Sequence, residues 1–265
     1  MKHLLEDPDA LEKISTADQL SLFLDYDGTL TPIAGTPQQA LMPQETRDIL
    51  QTLSKISRFH LAIISGRAMK DLQKLVGIDG IIYVGNHGFE IQGPGIVFEG
   101  LIPPKLEELF ERLKYEINRK LAAFAGAFIE DKGLTFSVHY RLANQSRAMV
   151  LEHILSHIVK PHLTKKEIRV GSGKRVFEIR PPVEWDKGKA VTWILTKQQF
   201  AVGQQRILPI CIGDDATDED VFLAMKDRGM AVYVGNPRAS HAQYYLNSTG
   251  EVIEFLKRIQ EIRTP

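Results

Sequence analysis

At 265 residues, 43% of them hydrophobic and 25% charged, the chain can bury one large core or two modest ones and is too apolar for broad disorder. Its 33 basic and 33 acidic residues cancel, which excludes a broad electrostatic footprint for nucleic acid or an anionic membrane and leaves any anionic ligand to local groups. The lone cysteine, Cys211, lies in the apolar run ILPICIG and excludes an intrachain disulfide. The N-terminal twenty residues carry acids and a proline where a signal peptide needs an apolar stretch, and no run reaches the ~18–20 apolar residues of a membrane span, so a cytoplasmic location is expected. Without secretion, the glycosylation patterns NQS at Asn144 and NST at Asn247 carry no weight.

The first hundred residues alternate strand and helix: strand near 21–25, helix near 44–57, strand 60–65, helix near 68–76, strand 81–85. The last eighty resume the pattern with a strand at 207–213, a helix near 217–227, a strand at 230–235 and an amphipathic helix near 249–262. This is the order of a Rossmann-like parallel sheet covered by helices, split in sequence between 1–103 and 185–265. Between them the pattern changes to a long helix after Pro103–Pro104, strands in AFIED and LTFSVHYRL, a helix near 145–159, and strands in EIRVGSG and RVFEIRPP. Short turns at Lys132–Gly133 and Gly171–Gly173 predict antiparallel pairing, hence an α+β cap of α-β-β-α-β-β order over 104–184. The proline pairs 103–104 and 181–182 bracket the cap as stiff hinges.

Chemistry gathers at predicted strand ends. LFLDYDGTL, residues 22–30, sends Leu22, Phe23 and Leu24 into a core and then releases Asp25 and Asp27 at a turn opened by Gly28. In open α/β sheets the carboxyl edge is where ligands bind. IGDDATDED, residues 212–220, brings Asp214, Asp215 and Asp218 to the same edge. A helix N-terminal cap accounts for Asp218, Glu219 and Asp220, but not for Asp214 and Asp215, nor for Asp25 and Asp27. Carboxylates crowded on neighbouring strand ends repel unless a cation lies among them, and Mg²⁺, held by one or two carboxylates with phosphate and water, fits. IISGR offers the Ser65 hydroxyl and the backbone N–H groups of Gly66 and Arg67 to an anion, and EWDKGKA starts a helix with Lys187. Acids, hydroxyl, N–H donors and lysine make the inventory of phosphoryl transfer. Two other patterns are set aside. His153, His157 and His162 have helical spacing but no acid or cysteine to complete a zinc site, and GSGK lacks the full phosphate-loop spacing.

In order, DYDGT, the Ser of ISGR, the Lys of DKGKA and GDDATD resemble the four motifs of the haloacid dehalogenase superfamily of phosphohydrolases, and the match spans nearly the whole chain. The resemblance implies Asp25 as nucleophile, Asp27 as general acid and base, and Ser65 and Lys187 on phosphoryl oxygens, with Lys187 also restraining Asp25. It implies Mg²⁺ held by Asp25, Asp214 and the backbone carbonyl of Asp27, with Asp218 and Asp215 behind, and Thr29 and Arg67 supporting the phosphate pocket. The cap resembles that of the trehalose-6-phosphate phosphatases through GNHGFEI at 85–91, EDKGLTFSVHYR at 130–141 and GSGKRVFEIRP at 171–181. One departure is Asn86, where the family's segment has Leu before the His. By this resemblance Asn86, His87 and Gly88 line the sugar pocket from the core, while Glu130, Lys132, Arg141, Lys174 and Glu178 meet sugar hydroxyls or phosphate from the cap. A charged, solvated strand face is the alternative for those cap residues.

The function implied is Mg²⁺-dependent hydrolysis of trehalose 6-phosphate by way of an aspartyl-phosphate, with a closing cap excluding water. Esters of sucrose, glucosylglycerol or mannosylglycerate phosphate stay open, as does a non-catalytic regulatory module, although intact Asp25, Asp27 and Asp214 argue against the last. A receiver module is disfavoured because receivers carry no cap between the hydroxyl and the lysine. The expected partner is the small-molecule sugar phosphate, with no nucleic acid and no membrane; a trehalose-6-phosphate synthase is a candidate protein partner, and a monomer is expected.

Overall fold

The computed structural model describes residues 1–173 and 175–263. Two compact units divide the chain, one formed by Met1–Glu99 with Trp185–Pro265 and the other by Gly100–Glu184. The first unit begins with β1 (Lys2–His3), α1 (Pro8–Thr16), β2 (Gln19–Asp25), α2 (Gln44–Leu53), β3 (Phe59–Ile64), α3 (Met69–Val76), β4 (Ile82–Gly85), β5 (Glu90–Gly93) and β6 (Ile96–Glu99). The second unit follows as α4 (Pro104–Leu121), β7 (Phe128–Asp131), β8 (Phe136–His139), α5 (Gln145–Thr164), β9 (Arg169–Gly173) and β10 (Val176–Arg180). The first unit resumes with α6 (Lys187–Val202), β11 (Ile207–Gly213), α7 (Glu219–Met225), β12 (Met230–Val234), β13 (Tyr244–Leu246) and α8 (Thr249–Arg263).

Among the described residues the first unit holds a nine-stranded sheet in the order β1-β13-β12-β11-β2-β3-β4-β5-β6. Neighbours from β1 through β4 are parallel, and β5 and β6 add antiparallel at one edge. That hairpin turns at a Pro-Gly pair, Pro94–Gly95, a sequence signal for one. The hairpin, β1, α1 and β13 add to the elements expected from sequence. Strand β2 is buried at all seven positions, as a central strand covered on both faces must be. Leu20, Leu22 and Leu24 join one core with Leu50, Leu53, Phe255 and Leu256, while Phe23 joins the other with Ala190, Val191, Ile194 and Phe222. Each such side chain contributes roughly 1.5–3 kcal/mol on full burial. The apolar run thus anchors the strand whose last residue is Asp25.

Helix boundaries shift from expectation for local reasons. Helix α2 stops at Leu53 rather than 57, and the chain leaves it through Arg58 at φ 64. Helix α5 continues past 159 to Thr164, carrying Pro161 in its closing turn, and α7 shortens to Glu219–Met225 with Asp218 at its N-cap. Among the described residues no helix is long and apolar enough to cross a membrane.

In the second unit, the antiparallel sheet β7-β8-β10-β9 packs one face on its helices. Leu109, Phe110, Leu113 and Ile117 of α4 and Leu151, Leu155 and Val159 of α5 share a core with Phe136, Val138, Phe177 and Ile179. Strand alternation turns Glu130, Ser137, His139, Glu178 and Arg180 to the other face. The turn expected at Gly171–Gly173 falls later. Both glycines lie in β9, opposite Glu178 and Val176, and the guanidinium of Arg180 lies 3.6 Å from where a Cβ on Gly171 would stand, an ordinary contact distance.

Candidate active site

Because β11, β2, β3 and β4 are parallel neighbours, the residues that follow or end them leave the sheet at one edge: Asp214, Asp25, Ser65 and Asn86. Helix α6 brings Lys187 to that edge from its first turn, with Asp186 capping it by accepting from Lys189 N at 2.8 Å. Gly188 lets α6 approach α7, since a Cβ there would overlap the carbonyl of Asp220.

Asp25, Asp214 and Asp218 are all buried, and among the described residues they form a group whose carboxylate oxygens lie within 4.8 Å of one another. Lys187, its side chain 3% exposed, donates to Asp25 Oδ1 at 2.6 Å and to Asp218 Oδ1 at 2.8 Å. Asp218 Oδ2 accepts from Asp214 N at 3.0 Å and Asp215 N at 3.1 Å, so it shapes the loop that presents Asp214. Gly213 and Gly28 are glycine for the same crowding: a Cβ on the first would overlap the Asp218 carboxyl, and on the second the Asp214 carboxylate. Burial pushes Asp25 well above the usual carboxylate range, opposed by Lys187 and reinforced by Asp218, Asp214 and Asp215. Asp218 is raised for the same reason. Burial also works against the charge of Lys187, but Asp218, Asp25 and Asp215 outweigh it and hold the ammonium well above the ordinary lysine value.

The remaining acids turn elsewhere. Asp215 Oδ1 accepts from Thr217 N and Oγ1, both at 2.7 Å, and despite burial its carboxyl is lowered by Lys187 and these bonds. Asp27, 42% exposed, is gripped by Arg67, whose Nε donates to Oδ2 at 2.7 Å and Nη2 to Oδ1 at 2.6 Å. The same guanidinium lies over the Tyr26 ring, 5.2 Å from its centroid. Its carboxylate is therefore outside the three-acid group; the metal contact expected of Asp27 was through its backbone carbonyl. Thr29 is fully buried, with its hydroxyl unpartnered among the described residues.

Ser65 is buried, and its Oγ accepts from Arg67 N at 3.2 Å. The turn after β4 braces it: Asn86 N donates to Arg67 O at 2.7 Å and His87 N to Ser65 O at 3.1 Å. Asn86 and His87 both take left-handed backbone, φ 48 and φ 56, which explains Asn where a Leu is usual, since Asn tolerates that region. Two supports were not foreseen: Glu90, which accepts from Asn86 Nδ2, and Trp185, whose Nε1 donates to Gly88 O at 2.7 Å.

On the polar face of the second unit, Lys132 Nζ lies 3.2 Å from Glu178 Oε1 and 3.9 Å from Glu130 Oε2. Arg141 follows β8, and Arg175 Nη1 donates to its carbonyl at 3.4 Å; Lys174 falls outside the described residues. Ser137, His139 and Arg180, not singled out from sequence, share this face. The period-two alternation of FSVHYR and VFEIR was the available signal. His153 and His157 are exposed on α5, while His162 pairs with Glu167 at 2.7 Å.

Three buried carboxylates against one lysine carry an excess of negative charge that a cation would neutralise, and an all-oxygen donor set suits a hard divalent ion. A haloacid dehalogenase-like hydrolase from B. subtilis shares the fold, superposing with a TM-score of 0.57 at 13% identity and covering 89% of this chain and 98% of that one. Phosphatases of the haloacid dehalogenase type generally use a divalent metal. The chain belongs to the trehalose-phosphatase family, whose model matches residues 23–249. The Arabidopsis thaliana protein named "Probable trehalose-phosphate phosphatase D" is 34% identical over 266 residues, 95% of this chain and 70% of that protein. The C-terminal domain of the C. albicans trehalose-6-phosphate phosphatase shares the fold with a TM-score of 0.84 at 24% identity, over 98% of both chains.

Proposed function

We propose that the protein is a Mg²⁺-dependent phosphatase that hydrolyses trehalose 6-phosphate to trehalose and inorganic phosphate. The observation that carries the chemistry is the convergence of Asp25, Asp214, Asp218 and Lys187 at one sheet edge. Family membership and the names of its relatives support the substrate. Residues 1–103 with 185–265 are the catalytic core in this reading, and 104–184 the cap that sets specificity.

A carboxylate oxygen of Asp25 attacks phosphorus and the sugar oxygen departs, giving an aspartyl-phosphate; the departing oxygen takes a proton from Asp27. Water, losing a proton to the Asp27 carboxylate, then attacks the same phosphorus and releases phosphate with Asp25 restored. In the observed arrangement both oxygens of Asp27 accept from Arg67, which orients the carboxyl. Ser65 and Lys187 meet phosphoryl oxygens, Thr29 and Arg67 support the phosphate, and Asp25, Asp214 and the Asp27 carbonyl would hold the ion, with Asp218 and Asp215 supporting them. The ion supplies the neutralisation that lets a carboxylate approach a phosphate dianion. In this reading Asn86, His87 and Gly88 meet the sugar from the core, and Glu130, Lys132, Arg141, Lys174 and Glu178 meet sugar hydroxyls or phosphate from the cap; a polyhydroxylated ligand requires several donors and acceptors.

The deciding experiment is phosphate release with Mg²⁺ across trehalose 6-phosphate, sucrose 6-phosphate, glucose 6-phosphate, glucosylglycerol phosphate and mannosylglycerate phosphate. A strong preference for the first is expected. Preference for another ester moves the substrate and keeps the chemistry, whereas silence on all with folded protein overturns the reading. The enzyme is read as a monomer, with a synthase as candidate partner; size-exclusion chromatography of the protein alone and mixed with a trehalose-6-phosphate synthase tests both.

A further inference from the structure

The sugar-facing groups of the second unit are themselves held by neighbours that the chemistry above does not use. Register places Glu130 of β7 opposite Ser137 of β8, and Ser137 opposite Glu178 of β10. The two glutamates therefore stand two strands apart, about 10 Å at a strand spacing of ~4.8 Å, with a small residue between them. That gap admits Lys132, which faces both carboxylates.

Each glutamate is then fixed from its outer side. Arg180, two residues along β10 and so on the same face, donates from Nε to Glu178 Oε2 at 2.6 Å and pairs with that oxygen through Nη2 as well. Glu178 Oε1 is left toward Lys132 at 3.2 Å and Ser137 Oγ at 3.5 Å. His139 Nε2 donates to Glu130 Oε2 at 2.6 Å, which requires the ring proton on Nε2. The imidazole plane is set by stacking on Phe128 across the strand pair, centroids 4.9 Å apart and planes 15° from parallel. The result is a continuous row, His139–Glu130–Lys132–Glu178–Arg180, of alternating charge-bearing groups.

We infer that Arg180 and His139 are positioning residues that set the enzyme's sugar specificity by fixing the carboxylates of Glu178 and Glu130; this rests on the sugar-binding role proposed above for the two glutamates. A glutamate has three side-chain torsions to order before its oxygens can meet hydroxyls in a single arrangement, and ordering it in advance removes that cost from binding. Discrimination between sugars depends on such fixed polar groups, because a mismatched hydroxyl leaves one of them unpaired. The competing role is a plain structural tie, within β10 for Arg180 and between β7 and β8 for His139. The two roles differ in what they move: a tie alters folding and every substrate alike, whereas positioning alters the sugar ester alone.

The test uses the full chain with Mg²⁺, comparing the sugar phosphate that the unmodified enzyme turns over fastest with p-nitrophenyl phosphate, which needs the reacting centre but no sugar contacts. Arg180→Gln and His139→Ala are expected to raise KM for the sugar ester on the order of tenfold, with kcat and aryl phosphate turnover within about threefold of the unmodified enzyme. His139→Gln keeps a donor near the Nε2 position and should recover most of the loss; Arg180→Lys, which keeps charge without the fork, should recover part. Unchanged KM in folded variants, or equal losses on both substrates, overturns the inference. Should Arg180→Gln not fold, the His139 pair and Arg180→Lys decide it. The unmodified enzyme's own ester preference tests the trehalose 6-phosphate reading separately; if it hydrolyses no sugar ester, the inference falls with it.

Discussion

Lys187 Nζ stands 2.6 Å from Asp25 Oδ1, buried, and its charge draws that carboxyl back toward its ionised form against burial and three neighbouring acids. Replacing it leaves those acids unopposed. Lys187→Met is therefore expected to destabilise the fold by about 3–5 kcal/mol, the cost of breaking a buried pair, and to favour a protonated, non-nucleophilic Asp25. Urea unfolding and phosphate-release kinetics check the two effects. Turnover within tenfold of the unmodified enzyme would show that the lysine is dispensable to the nucleophile.

Asp25→Asn removes the proposed nucleophile and one charge from a crowded site. Turnover should fall on the order of 10⁴-fold or more, while the melting temperature holds or rises, because the buried charge that cost stability has gone. Near-normal activity would rule out the aspartyl-phosphate route.

Gly28→Ala is a backbone test of the same site. At φ +90 an alanine is strained, and its Cβ would overlap the Asp214 carboxylate. Displacing that carboxylate by about an ångström should lower turnover on the order of 10²-fold. Calorimetry of Mg²⁺ binding should show weakened affinity in the same variant; intact affinity would mean that Asp214 is not a ligand.

Chelation should silence the enzyme and Mg²⁺ restore it. The ion also binds only the folded chain, so at 100 times its dissociation constant it should raise Tm by about 5 °C. A melting temperature indifferent to both EDTA and Mg²⁺ would count against the three-carboxylate site.

Glu251 supplies a pH signature remote from the site. It accepts from Asn247 N at 2.7 Å and Asn247 Nδ2 at 2.8 Å and meets His3 Nε2 at 2.9 Å, and although burial opposes this, those partners lower its carboxyl below the usual value. For a depressed acid the stability is present above the unfolded value near 4.5 and disappears as pH falls through the lower folded value. Glu251→Gln should lower Tm at pH 6 by about 2 °C and lose part of the decline in stability below pH 4.5. A decline as steep as that of the unmodified protein would show that Glu251 does not contribute to it.

Several of these features could be read from residue order alone. Apolar runs such as 20–24 and 207–213 mark covered parallel strands because both faces must be apolar, and the acids that close them fall at strand ends. What residue order does not carry is pairing across long separation: Lys2–His3 is too short to show a period and becomes a strand only by lying beside Tyr244–Tyr245. The grip of Arg67 on Asp27 spans 40 residues and depends on where two turns point, which composition does not encode. On the sheet of the second unit, Glu130 and Glu178 stand out as charged and period-two alternation sets Arg180 beside Glu178, whereas the partnership of His139 with Glu130 emerges only once the β7–β8 register is known.

The turn at Asn86–Gly88 has a bearing on transplantation. The His87 ring fills the space that a Cβ on Gly66 would need, and the backbone of Asn86 and His87 donates to Arg67 and Ser65. The shape of the serine loop is thus imposed from the adjacent strand rather than by its own tripeptide. Grafting ISGR onto another scaffold would carry the letters without the mould, and a designer seeking that loop must move both segments, with Glu90 and Trp185 behind them, as one piece.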